Sequence, residues 1–181
     1  TETIDLPDDE SDYFDDLPDY GTYTYQIRKT DTGNNVSESF LALYTYAAPV
    51  VYTVNSSGGA DYYDISNALN EATDLDTIEV QQGTYSINTL WVDKYITIRS
   101  AYHSSQEWSD VEGTILEGTI TFSPNNQSDN YTLSIDGLTI DGTTNALTST
   151  SGDVEISNSI IKGASGGSAI QVGNEGSSSL M

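Results

Sequence analysis

From residue 77 to residue 172, apolar and polar residues alternate in short bursts of three to five positions, most of them closed by Gly, Asn or Asp. A period of two is the pattern of a half-buried strand, because successive side chains point to opposite faces. The bursts predict strands at Thr77–Val80, Leu90–Val92, Tyr95–Arg99, Thr114–Leu116, Thr119–Phe122, Leu133–Ile135, Leu138–Ile140, Val154–Ile156, Ser159–Ile161 and Ala169–Val172. One segment breaks the rule. Across Asp61–Ala72 the apolar residues Ile65, Ala68, Leu69 and Ala72 recur at i, i+3, i+4 and i+7, which predicts an amphipathic helix. Asp61 and Asp64 lie near its start, where carboxylates suit the helix dipole. Before the helix come a strand at Val50–Val54 and a loop at Asn55–Gly59. Nearer the N-terminus, Thr22–Ile27 alternates with Tyr23, Tyr25 and Ile27 on one side, and a second strand covers Val36–Tyr46. The turn formers Thr30–Asn35 between them predict a β-hairpin.

The chain also repeats itself. Leu133–Gly142 overlays Val154–Gly163 at a constant offset of 21, pairing Leu133 with Val154, Ile135 with Ile156, Ile140 with Ile161 and Gly142 with Gly163. Gly137 falls opposite Asn158, and both residue types accept a left-handed bend. A period of that order marks a solenoid, one coil per repeat. Short strands with a bend between them point to a parallel β-helix, in which each coil touches only its neighbours and the ends need caps.

Two resemblances follow from these segments. "ISNALNEATDLDTIEVQQGTY", Ile65–Tyr85, resembles the opening pattern I-x-x-A-L-x-x-A-x-x-G-D-T-I-x-V-x-x-G-T-Y of the right-handed parallel β-helix family that includes pectate-lyase-like proteins. Leu75 departs from it, standing where the pattern has Gly. The resemblance implies that residues 49–181 are the N-terminal coils of such a helix and that Asp61–Ala72 caps them. Leu17–Ile27 is similar to the approach to strand F of fibronectin type III domains, with Tyr23 as the tyrosine-corner residue and Pro18 one position early. Asp31–Ser39 is similar to that family's F–G turn, and Phe40–Ala47 to its strand G. The fold class expected is therefore all-β: a right-handed parallel β-helix with an N-terminal capping helix, preceded in residues 1–48 by an acidic segment and a partial sandwich hairpin.

Composition narrows the function. Five Lys and Arg face 28 Asp and Glu, a net charge of -23. A field of that sign repels phosphate, which excludes a nucleic-acid binder. With no Cys, disulfides and thiolate zinc sites are excluded. No apolar run approaches the roughly 18–20 residues of a membrane span. Thr1 is not an initiator Met and no signal peptide is present, so the expectation is a processed or excised segment of a longer protein.

Candidate chemistry is sparse. The acidic residues of 1–20, Asp8, Asp9 and Asp12 among them, have two readings: a calcium-binding segment, since hard cations take oxygen ligands, or a solvated loop with an edge strand. Their spacing does not match the D-x-[DN]-x-[DN]-G loop. Calcium is the one cofactor under consideration. Trp91, Tyr95, Tyr102 and Trp108 can form a stacking surface for sugar rings or can cover the edge of the core. Sequons at Asn35, Asn55, Asn126 and Asn130 are candidate glycan sites. The lone His103 has no Ser or Cys partner pattern, so nucleophilic catalysis is unsupported. The repeat offset sets Asp141 beside Lys162, either a base next to a cation-binding carboxylate or a solvated ion pair. Catalytic members of the family resembled act on acidic polysaccharides, but no catalytic constellation is visible in this segment.

The function expected is thus a secreted or cell-surface structural and adhesive module, whose partners are polysaccharide or neighbouring surface-protein subunits, with self-assembly into a homo-polymer as one form of the latter. The alternative is the non-catalytic N-terminal portion of a secreted polysaccharide lyase or glycoside hydrolase.

Overall fold

The computed structural model describes residues 20–30, 33, 36–124, 131–163, 168–172 and 179–180. The chain divides between Ala48 and Pro49 into two units. In the first, β1 (Gly21–Thr30) and β2 (Val36–Tyr46) form an antiparallel hairpin. Gly21 lies opposite Tyr46, and the register runs to Lys29 opposite Glu38 before a bulge brings Thr30 opposite Val36.

In the second unit the elements are β3 (Val51–Val54), α1 (Ile65–Glu71), β4 (Thr77–Val80), β5 (Gly83–Val92) and β6 (Thr97–Ser100), then α2 (Tyr102–Ser105) and α3 (Trp108–Gly113). The strands β7 (Thr114–Phe122), β8 (Thr132–Asp136), β9 (Thr139–Asp141), β10 (Leu147–Ser149), β11 (Asp153–Ser157), β12 (Ile160–Lys162), β13 (Ile170–Val172) and β14 (Ser179–Leu180) follow. Every strand pair here is parallel. The class is all-β, with three short helices among the described residues.

Three runs of strands result. The first face is β3-β4-β6-β8-β11-β14. The other two meet at a corner inside β5 and β7. The second face is the start of β5, the start of β7, β9 and β12, with Glu117 opposite Asp141 and Asp141 opposite Lys162. The third face is the end of β5, the end of β7, β10 and β13, with Leu90, Ile120, Leu147 and Ile170 in register. The corner is made by Asn88 at φ 49 and Gly118 at φ 139. A Cβ on Gly118 would lie 2.4 Å from the Asn88 carbonyl oxygen, so only glycine lets the two turns of chain approach.

Parallel, in-register pairing stacks like on like. Tyr52, Ile78, Ile98, Ile135 and Ile156 follow one another on the inner side of the first face. Ile78, Ile98 and Ile135 are almost wholly buried, and each such side chain contributes roughly 1.5–3 kcal/mol on leaving water. Phe122, Leu116, Ile120, Ile140 and Leu147 fill the core from the other two faces. The repeat read from the sequence is the observed register: Leu133 opposite Val154, Ile135 opposite Ile156, Ile140 opposite Ile161. Gly137 and Asn158 both bend at positive φ, 73 and 48.

The helix α1 buries Ile65, Ala68 and Leu69 against β3, β4 and β5. It starts four residues later than the sequence pattern suggests. Asp64 takes the N-cap, its carboxylate accepting from the Asn67 backbone N–H at 2.8 Å. Asp61 is used elsewhere, accepting from the Thr53 backbone N–H and hydroxyl, each at 2.8 Å, on β3. At the far end Lys94 Nζ donates to the carbonyls of Leu69 and Ala72, both at 2.7 Å. These are carbonyls of the last helical turn, which a cation satisfies and the helix dipole favours. Asp76, 2 % exposed, closes the same turn of chain. It accepts from the N–H groups of Val50 and Thr73, each at 2.7 Å, and from the Thr73 hydroxyl at 3.0 Å.

Candidate functional site

The outward side chains of the three faces differ in chemistry. On the first face one row reads Thr53, Glu79, Arg99, Asp136 and Ser157 on successive strands. Arg99 Nη2 lies 3.0 Å from Glu79 Oε2, with both side chains mostly buried. Asp136 accepts from Ser157 Oγ at 2.7 Å and Asn158 Nδ2 at 2.8 Å, and His103 Nδ1 stands 3.5 Å from its other oxygen. Partial burial pushes the Asp136 carboxyl up. The hydrogen bonds from Asn158, Ser157 and His103, with the charge of the imidazole, outweigh it and hold the pKa below the ordinary carboxylate value. Asp61 is likewise held low, first by the Thr53 N–H and then by its hydroxyl.

On the second face the row is Ser86, Glu117, Asp141 and Lys162. Ser86 Oγ lies 3.4 Å from Glu117, and Lys162 Nζ lies 3.8 Å from Asp141 with both partners half exposed. That is the solvated ion pair, worth under about 1 kcal/mol. Helix α3 lies against this face, where the Thr139 hydroxyl donates to the Val111 carbonyl at 2.9 Å.

The third face carries no charge on its strands. Trp91, Thr121, Thr148 and Gln171 follow one another in register on β5, β7, β10 and β13. Trp91 is 64 % exposed, between buried Leu90 and Val92. Gln171 is exposed and its Oε1 accepts from Asn145 Nδ2 at 2.8 Å. The Thr150 hydroxyl donates to Ser123 Oγ at 2.9 Å. Beside Trp91 a recess of about 410 Å³ is lined by Leu69, Asn70, Val92, Asp93, Lys94 and Ser123. An exposed indole next to amide and hydroxyl groups has the makeup of a sugar platform, because the ring face takes the C–H side of a pyranose and the polar groups take its hydroxyls.

The other aromatics predicted for sugar binding divide. Tyr95 is 39 % exposed in the turn between β5 and β6, next to Lys94. Tyr102 and Trp108 sit in the α2–α3 insertion and meet edge to face at 6.1 Å, and Trp108 is 47 % exposed. They pack on each other, and Trp91 is the aromatic that lies on the uncharged face. Asn55, the sequon within the described residues, is half-buried in a turn, its Oδ1 accepting from the Ser57 N–H at 2.8 Å. Asp8, Asp9 and Asp12, and the sequons at Asn35, Asn126 and Asn130, lie outside the described residues. Among the described residues no group of three or more His, Cys, Asp or Glu side chains is placed to hold a metal ion, and no helix is long and apolar enough to cross a membrane.

Two groupings escape a reading by sequence alone. The pairing of His103 with Asp136 spans 33 positions and depends on the insertion folding back on β8. Thr148 and Gln171 join Trp91 only through register, and β10 offers a single alternation, Leu147-Thr148-Ser149, as its signal. No protein-family model, curated protein or solved structure matches the chain.

Proposed function

We propose that this chain is a structural and adhesive module of a secreted or cell-surface protein, and that it binds carbohydrate. In this reading the second unit is the capped N-terminal part of a right-handed parallel β-helix, with α1 as the cap. The hairpin of β1 and β2 is the F–G pair of a fibronectin type III-like sandwich. Support for the solenoid comes from the parallel, in-register strands and from the 21-residue spacing of Leu133/Val154 and Ile140/Ile161. The observation that carries the binding function is Trp91, exposed on an uncharged face at the rim of a polar recess. An indole has an apolar face for a sugar ring and an N–H for a hydroxyl, which suits it to that role.

The lyase or hydrolase reading ranks second. It makes this chain the non-catalytic N-terminal portion of such an enzyme, in keeping with the three basic side chains of the second unit each being engaged: Lys94 with helix carbonyls, Arg99 with Glu79, Lys162 with Asp141.

The test is co-sedimentation of the full chain with a panel of insoluble polysaccharides, alongside its sedimentation velocity alone. Retention by at least one polysaccharide is expected. A chain retained by none, yet forming polymers by itself, replaces carbohydrate adhesion with self-assembly.

A further inference from the structure

The third face narrows the ligand class, and this step rests on the carbohydrate reading above. We infer that the face takes an uncharged polysaccharide chain, laid across the strands from Trp91 toward Gln171, and that it rejects acidic glycans.

The argument begins with charge. The chain carries -23 overall, and the first two faces bear Glu79, Arg99, Asp136, Glu155, Glu117, Asp141 and Lys162 on their outward rows. The third face presents Trp91, Thr119, Thr148 and Gln171 instead, with Thr121 buried between Trp91 and Thr148, in an otherwise acidic surface. A uronate polymer approaching it meets the field of the whole chain and finds no cation on the row. Lys94, the nearest basic side chain, is tied to the Leu69 and Ala72 carbonyls. A neutral polymer meets no such penalty and uses what the row offers, which is hydroxyl and amide groups.

Spacing gives the direction. The four strands of this face step by roughly 4.8 Å, so the row from Trp91 to Gln171 spans on the order of 14 Å. One step is comparable with the rise of one residue along an extended β-linked glycan. A sugar ring stacked on Trp91 therefore places the second and third rings beyond it over Thr148 and the Asn145–Gln171 amide pair, which is already fixed at 2.8 Å and leaves the Gln171 Nε2 and Asn145 Oδ1 to the ligand.

The test uses the full chain in affinity electrophoresis and pull-down with cellulose, mannan and mixed-linkage β-glucan as neutral probes and polygalacturonate as the acidic one. Three variants accompany it: Trp91→Ala, Trp91→Phe to keep a ring, and Thr148→Glu to put one charge in the row. Circular dichroism checks that each is folded. The expected result is retention by a neutral probe that is insensitive to salt, at least tenfold weaker in Trp91→Ala and Thr148→Glu, and largely kept in Trp91→Phe. Neutral binding that ignores both substitutions overturns this face and leaves carbohydrate adhesion standing. Salt-sensitive binding of polygalacturonate overturns the ligand class alone. Retention by no probe overturns both readings.

Discussion

Replacing Asp76 by Asn changes no shape and tests whether a buried carboxylate organises the start of the second unit. The carboxylate is 2 % exposed and accepts three hydrogen bonds, one on Oδ1 from Val50 and two on Oδ2 from Thr73. It thereby ties the chain entering β3 to the chain leaving α1. An amide supplies one acceptor oxygen. Its best orientation keeps that oxygen on the two Thr73 donors and turns its NH2 toward the Val50 N–H, donor against donor. One bond to a charged group is lost, worth about 1.5–3 kcal/mol, and two others drop to the neutral value of about 0.5–1.5 kcal/mol each. Relief from burying the charge offsets part of this. The net expectation is a loss of about 2 kcal/mol for Asp76→Asn, and about 3–4 kcal/mol for Asp76→Ala, which leaves all three donors unpaired. For a unit of this size 2 kcal/mol corresponds to a fall in Tm of roughly 8 °C. Thermal melts followed by circular dichroism, with urea titrations for the free energies, read it directly. An Asp76→Asn chain within 0.5 kcal/mol of wild type, or one less stable than Asp76→Ala, would falsify the account.

Three further changes probe the same frame. Lys94→Met keeps the aliphatic stem but removes the two 2.7 Å bonds to Leu69 and Ala72, so α1 should lose about 1–2 kcal/mol and its amides should exchange faster with solvent while β8 and β11 are unaffected. Gly118→Ala drives a Cβ to 2.4 Å from the Asn88 oxygen at a φ of 139 and should cost upward of about 3 kcal/mol; a melt unchanged within error refutes the corner. Asp136 has a folded pKa below its ordinary value of 3.8, so its contribution to stability is complete above that value and is lost as pH falls through the lower folded pKa. Between pH 5 and pH 2.5 wild type should therefore lose more stability than Asp136→Asn, and equal slopes would remove the linkage.

Much of this fold is legible because parallel stacking writes the same residue type at the same place in each turn of chain. Ile135 and Ile156, or Ile140 and Ile161, are visible as a repeat because 21 residues separate both pairs. The signal vanishes where the turn length changes. Ile98 stacks on Ile135 across 37 residues, since α2 and α3 intervene, and no constant offset finds that pair. Those two helices are four and six residues long, too short to show an apolar period. The strand β7 looks like two short bursts and β5 shows only its second half, Leu90–Val92, because Asn88 and Gly118 turn the chain sharply while its pairing continues. Leu75 adopts φ 74 at the place where the pattern resembled has Gly, so the turn survives a residue that disfavours it. Hydrogen bonds hold it there: the Leu75 N–H donates to the Tyr95 carbonyl at 2.6 Å and Asp76 fixes the next position. Of the candidate site, the aromatic was legible and its surroundings were not, since Thr148 and Gln171 belong with Trp91 by register alone.

In-register stacking sets a problem for a chain with 28 acidic residues, because it places like beside like at roughly 4.8 Å. The first two faces meet it by alternating partners. Glu79 is followed by Arg99, Asp136 by Ser157 with His103 and Asn158 alongside, and the Glu117–Asp141 neighbours are flanked by Ser86 on one side and Lys162 on the other. Asp61 serves a related purpose at the β3 edge, where its carboxylate takes the Thr53 N–H and the Tyr62 N–H takes the Thr53 carbonyl, so a strand arriving at that point finds both groups in use. Acidic residues are thus compatible with stacking wherever a donor stands next to them. The neutrality of the third face is then not a requirement of the fold, because the devices that admit carboxylates on two faces would admit them on the third. A face free of charge on its strands and furnished with an exposed indole is what the proposed carbohydrate binding calls for.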